Sequence, residues 1–188
     1  MHITLVRRYK LPFRCLYRCL EHPKYTGTSK VSLLGRSRIL LYHDGREKYH
    51  MSQRSLLDVV KYFPLQFLGT NCAPYHIYEF DKGETGVSKR SFFRPEYTID
   101  IAQNTYVLRA HSGKRNSLMR DGRQVALFTM EDEGKNRIDF SKQDEALIPV
   151  LLLLAIFIDV QSYAYRGATT YTYVPRDKWK SLSEWKPN

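Results

Sequence analysis

Apolar residues fall along this chain in two patterns. From Leu147 to Ile158 the sequence LIPVLLLLAIFI is apolar without a break and carries no charge. A helix that is hydrophobic on every side must be enclosed by protein or by lipid. A helix of this length reaches roughly 18 Å, whereas a bilayer core is about 30 Å thick, so the run is expected to be a buried core helix and not a membrane span. Asp144 and Glu145 precede it and Asp159 follows it; a longer window would carry those charges into hydrocarbon. Ser141 with Asp144 has the form of a capping box, which places the helix start in SKQDEAL with acids at its positive end. Pro149 then either kinks the helix or marks where its regular part begins.

Elsewhere apolar residues alternate with polar ones. Tyr97, Ile99 and Ile101 alternate with Thr98 and Asp100, and Ile138 and Phe140 with Arg137 and Asp139, the period of strands with one face buried. The expected strands are Tyr75 to Phe80, Val87 to Phe93, Glu96 to Ile101, Thr105 to Ala110, Ser117 to Arg120, Gln124 to Met130 and Arg137 to Phe140. Turn residues separate them at Lys82-Gly83, Pro95, Gln103-Asn104, Ser112-Gly113, Asp121-Gly122 and Glu133-Gly134, as in a meander. His2 to Lys48 is basic, aromatic and broken by Pro and Gly, which suits short strands. Within it Asp44-Gly45 has the residues of a hairpin turn with two positive φ angles. Arg54 to Phe63 places Leu56, Val59, Val60 and Phe63 at helical spacing and ends at Pro64, the pattern of a short amphipathic helix. ATTYTYV after the apolar run reads as a final strand. A sheet with one face to bury and a helix with every face to bury are satisfied together if the sheet curls around the helix, closing into a barrel that leaves no edges.

The 188 residues contain no linker-like stretch. The expectation is one domain over 1–175, followed by a basic, Trp-containing tail over 176–188. Three cysteines, Cys15, Cys19 and Cys72, are too few for a disulfide framework and point to reduced thiols. The start, MHITLVRRYKLPF, lacks the apolar core of a secretory signal. A cytoplasmic protein is expected, at most peripheral at the inner membrane face. The net charge of +11, from 30 Lys+Arg against 19 Asp+Glu, favours an anionic partner or a strongly solvated basic surface.

The meander YHIYEF, GVSKRSFFRPEYTIDI, TYVLRAHSGKRNSLMRDGRQVALFTM and RIDF leads directly into EALIPVLLLLAIFIDV. In this order of elements the chain resembles the tubby C-terminal-like family, which includes tubby-like, LURP-one-related and phospholipid scramblase-like proteins, and in particular its small bacterial single-domain members. The resemblance covers Tyr75 to Tyr173. It implies an antiparallel barrel of about a dozen strands around the hydrophobic helix and, by analogy with some eukaryotic members, contact with phosphoinositide headgroups. The family offers no catalytic signature.

The chain itself carries no phosphate-cradling glycine loop, nucleophile elbow, zinc-protease helix or EF-hand loop. Cys15, Cys19 and His22 have an unusual spacing for zinc and no fourth ligand nearby, so two buried thiols on one strand face are the better reading. Cys72 with His76 lacks an orienting carboxylate and an identifiable oxyanion donor, so packing is the better reading. No enzymatic activity, cofactor or metal is expected. The remaining feature is basic: Lys89, Arg90 and Arg94 around Phe92 and Phe93, then Arg109, Lys114 and Arg115 on the next hairpin. Strands about 4.8 Å apart can bring both groups to one face or rim, where they would attract phosphates. These residues suggest a monomeric, non-enzymatic binding or scaffold module contacting an anionic membrane surface. The alternatives are a membrane-inserted scramblase-like protein using the 147–158 helix, or a nucleic-acid-binding protein.

Overall fold

A computed structural model describes residues 1–11, 14–31, 37–53, 74–91, 96–101, 103–111, 114–132 and 134–164. Twelve strands form a closed antiparallel barrel. They are β1 (His2–Leu11), β2 (Arg14–Cys19), β3 (Tyr25–Val31), β4 (Ser37–His43), β5 (Arg46–Ser52), β6 (Tyr75–Glu79), β7 (Gly83–Arg90), β8 (Glu96–Ile101), β9 (Asn104–His111), β10 (Arg115–Arg120), β11 (Arg123–Asp132) and β12 (Lys135–Phe140). Each strand pairs with its neighbours in sequence, and β1 closes the ring on β12 with Ile3 opposite Ile138 and Leu5 opposite Asn136.

Alternation decides which side chains fill the barrel. In β6, Tyr75, Ile77 and Glu79 are buried while His76 and Tyr78 are half-buried. In β2, Cys15, Tyr17 and Cys19 point inward and Arg14 and Arg18 are exposed. The expected turn chemistry is present. Asp44 and Gly45 have φ of 50° and 76°, and Asp121 and Gly122 have 51° and 78°, the two positive angles of a tight hairpin.

The interior is occupied by helix α1 (Ile148–Ala164), reached through a 3-10 helix over Lys142–Leu147. Every side chain from Val150 to Val160 is buried, so the uniform hydrophobicity of the run is matched by a wall of strand side chains on all sides. Tyr75 and Tyr97 set their rings edge-on to Phe157, with centroids 5.1 and 5.0 Å away. The helix lies nearest β3 and β4. Gly27 in β3 makes this approach feasible, because a Cβ there would collide with Ile156 Cδ1.

Two features of the expected helix differ. Ser141 makes no side-chain cap; its carbonyl accepts the Asp144 N–H at 3.0 Å, and the Asp144 carboxylate turns to Arg123 and Arg120. A bidentate guanidinium contact outcompetes a capping contact for that carboxylate. The helix also runs six residues beyond Ile158. Asp159 is therefore inside the barrel, where it was expected to mark the boundary. Pro149 lies in the first turn, where its missing N–H leaves no bond unmade. The expected amphipathic helix over 54–63, the last strand over 168–174 and the tail over 176–188 lie outside the described residues. Among the described residues no helix is long and apolar enough to cross a membrane.

Candidate functional site: a barrel with unlike ends

Strand direction divides the barrel into two ends. At the near end β1 begins, β12 finishes and the chain turns inward to form α1. The Met1 amino group donates to the Phe140 carbonyl there at 2.8 Å. At the far end α1 reaches Gln161, whose amide donates to the Tyr75 hydroxyl at 2.8 Å.

Several acids and cations at the near end pair with one another. Glu79 accepts from Lys48 and Lys82, both at 3.1 Å. Burial alone would raise the Glu79 carboxyl, but these two ammonium groups hold it below the ordinary range. Arg123 grips Asp144 through two bonds of 3.0 and 2.7 Å, and Arg137 holds Asp139 at 2.9 Å. Glu21 receives the Thr4 N–H and hydroxyl; burial opposes its charge, yet these bonds keep its carboxyl below the usual value.

The far end has a different balance. Exposed Arg8, Arg14, Lys30, Arg38, Lys89, Lys114, Arg115 and Lys135 stand in that half, with Glu96, Glu131, Asp132 and Asp159 as the acids among the described residues. Asp159 is spent inside. Its carboxylate accepts two bonds from Arg7 Nη1, at 3.0 and 2.9 Å, and one from the Tyr17 hydroxyl at 2.8 Å. The Tyr17 hydroxyl also lies 3.2 Å from Ser29 Oγ. Burial, reinforced by Asp159, pushes the Tyr17 phenol far up, so it remains a donor. Burial also raises both Cys15 and Cys19, and a thiol kept protonated is a poor nucleophile and metal ligand.

Of the basic residues singled out in the sequence, Lys89, Arg90, Arg109, Lys114 and Arg115 share the far-end rim, but not one face. Lys89 is exposed on the outer side of β7. Arg90, the next residue, follows the inward phase, half-buried with its guanidinium 5.9 Å from the Tyr97 ring centre. Arg109 faces outward on β9 and is engaged by Glu96 at 3.3 Å. Lys114 sits in the β9–β10 turn with φ 61°, and Arg115 opens β10 opposite His111. Arg94, Phe92 and Phe93 lie outside the described residues. His111 adds no charge near neutrality, because burial first and then Arg109 and Arg115 lower its pKa. Cys72 is likewise outside the described residues; His76 instead meets Glu84 at 2.7 Å. Among the described residues no group of three or more His, Cys, Asp or Glu is arranged to hold a metal.

Sequence reasoning missed the Arg7–Asp159 pair. The partners are 152 residues apart, and no local spacing signals such a contact. The only trace is a charge at the edge of an otherwise unbroken apolar run. No family model, curated protein or solved structure matches this chain. Its class is thus set by its own architecture: a closed twelve-stranded antiparallel barrel around one helix, with charges of both signs at one end and, among the described residues, a surplus of cations at the other.

Proposed function

We propose that the chain is a non-enzymatic binding module of the tubby-like kind, cytoplasmic and peripheral, contacting anionic phospholipid headgroups through its far end. The observation that carries this reading is the sidedness of charge. Near-end cations share that end with a comparable set of acids, among them Glu21, Asp44, Glu47, Glu79, Asp121, Asp139 and Asp144, whereas at the far end exposed cations such as Lys89 and Lys114 outnumber the acids among the described residues. Each basic residue beside an anionic surface contributes about 1 kcal/mol, so a few converging cations suffice without a deep pocket. The strand order ending in an enclosed helix supports the tubby-like reading, and it gives α1 a role as barrel core.

The test is co-sedimentation with vesicles of phosphatidylcholine alone or with added phosphatidylserine. The protein should pellet only with the anionic vesicles, and changing Lys89, Arg90 and Arg94 together to Ser should release it. Equal sedimentation with both lipids, or full retention by the triple variant, would reduce these side chains to a solvated surface.

A further inference from the structure

A second group of cations lies on the same rim, on strands that the lipid reading does not use. Arg14 in β2 is the Cα partner of Lys30 in β3, and Lys30 is the partner of Arg38 in β4. All three are exposed. Directly opposed residues on one face have Cβ atoms about 4.5–5.5 Å apart, so three like charges stand in a row at the closest spacing a sheet permits. Arg8 extends the row. It is the partner of Leu16, two residues from Arg14 on the same face.

Like charges directly opposed in a sheet are destabilising. Elsewhere the barrel relieves such groups with acids, as Glu79 does for Lys48 and Lys82. Among the described residues no acid forms an ion pair with Arg14, Lys30 or Arg38. A row of cations without an ion pair among the described residues is suited to negative charge from outside.

The ring order indicates the shape of that partner. In a closed ring of twelve strands β3 and β9 are six apart, on opposite sides of the barrel. Lys30 therefore faces away from Arg109 and Lys114 across an opening that twelve strands about 4.8 Å apart make roughly 20 Å wide. A small phosphate ligand or one strand lying in a groove reaches one group only. A broad plane reaches both.

We propose that Arg14, Lys30 and Arg38 form the second half of a docking surface for an anionic bilayer, so that the barrel stands end-on with its far end against the headgroups. This rests on the lipid reading above and adds orientation and a second set of contacts. The near end, with its mixed charges, faces away from the membrane.

The experiment uses the full chain and the same two vesicle types. Arg14→Gln, Lys30→Gln and Arg38→Gln together should weaken binding to phosphatidylserine vesicles about a hundredfold, the effect of three cations at about 1 kcal/mol each when 1.4 kcal/mol is tenfold. Lys24→Gln, Arg46→Gln and Lys142→Gln remove equal charge from exposed near-end positions and should change binding less than about threefold. The Arg14/Lys30/Arg38 variant should also melt no lower than wild type, because it relieves a like-charge row. Equal losses in the two triple variants would mean bulk charge attraction and overturn the end-on surface. Unchanged binding in the Arg14/Lys30/Arg38 variant, with loss in the Lys89/Arg90/Arg94 variant, would overturn this inference and leave the lipid reading standing. Absence of wild-type binding to either vesicle would overturn both. A lowered melting temperature would show that the row is compensated within the fold, and binding to duplex DNA in place of vesicles, dependent on the same three residues, would assign the row to nucleic acid; either result overturns the proposal.

Discussion

The Arg7–Asp159 pair is the most exacting contact in the interior, because both charges are almost wholly removed from water, with side chains 3% and 1% exposed. A buried pair is strongly favourable only by comparison with one partner left alone. Arg7→Met should therefore cost about 3–5 kcal/mol, leaving Asp159 with Tyr17 as a donor, while Arg7→Met combined with Asp159→Leu should recover most of the loss. Denaturant unfolding of the two variants checks this, and a double variant as unstable as the single would refute it. Two histidines give the chain a sign of pH dependence. Burial first, and then neighbouring arginines, lower the pKa of His50 and His111. Above the unfolded value of about 6.5 both states are neutral and the groups contribute nothing. As pH falls through that value the unfolded chain binds protons that the folded chain resists, so stability is lost. Glu21 and Glu79 are shifted downward, and their contribution disappears only at lower pH, as it falls through their folded values. The unfolding midpoint should thus drop between about pH 7.5 and about pH 5.5, and His50→Gln with His111→Gln should flatten that part of the curve.

At the scale of elements, α1 and the strands define each other. Leu152 and Leu153 are fully enclosed, so Leu152→Asp places an unpaired carboxylate among apolar side chains. That cost compares with the whole stability of a typical domain, about 5–15 kcal/mol, and the variant should fail to give a cooperative unfolding transition. A soluble, cooperatively unfolding Leu152→Asp protein would contradict an enclosed helix. The β8 limits, Glu96–Ile101, were legible in the sequence because alternation there runs from one turn signal to the next. Other boundaries shifted. β7 begins at Gly83 and ends at Arg90, whereas apolar content suggested Val87 to Phe93. Gly86 adds nothing to an apolar pattern, yet it belongs in the ladder: a Cβ there would strike the Asp100 carbonyl, so glycine is what lets β7 and β8 pair so closely. The strands of the first quarter were visible only as a tendency, because cations and turn residues interrupt their alternation.

For the molecule as a whole, charge is arranged along the barrel axis. Some cations are paired with acids within the protein, and the exposed surplus at the far end is what the proposed anionic surface would meet. Attraction of this kind is screened by salt, with a Debye length of about 10 Å at 0.1 M and 3 Å at 1 M. Binding to phosphatidylserine vesicles should accordingly be reversed by high salt. Protein that stays with the pellet after such a wash would point to insertion in place of surface contact.

The sequence by itself determined that an uncharged apolar run too short for a bilayer must be enclosed, and that strands with one apolar face would enclose it. Those conclusions follow from the period and length of local patterns. The closure of β1 on β12, the alignment of Arg14, Lys30 and Arg38, and the meeting of Arg7 with Asp159 were decided only by the tertiary structure. The physical reason is that register between strands is fixed by packing around a shared core. A one-residue slip would leave every local propensity unchanged, yet it would turn each of these side chains to the other face.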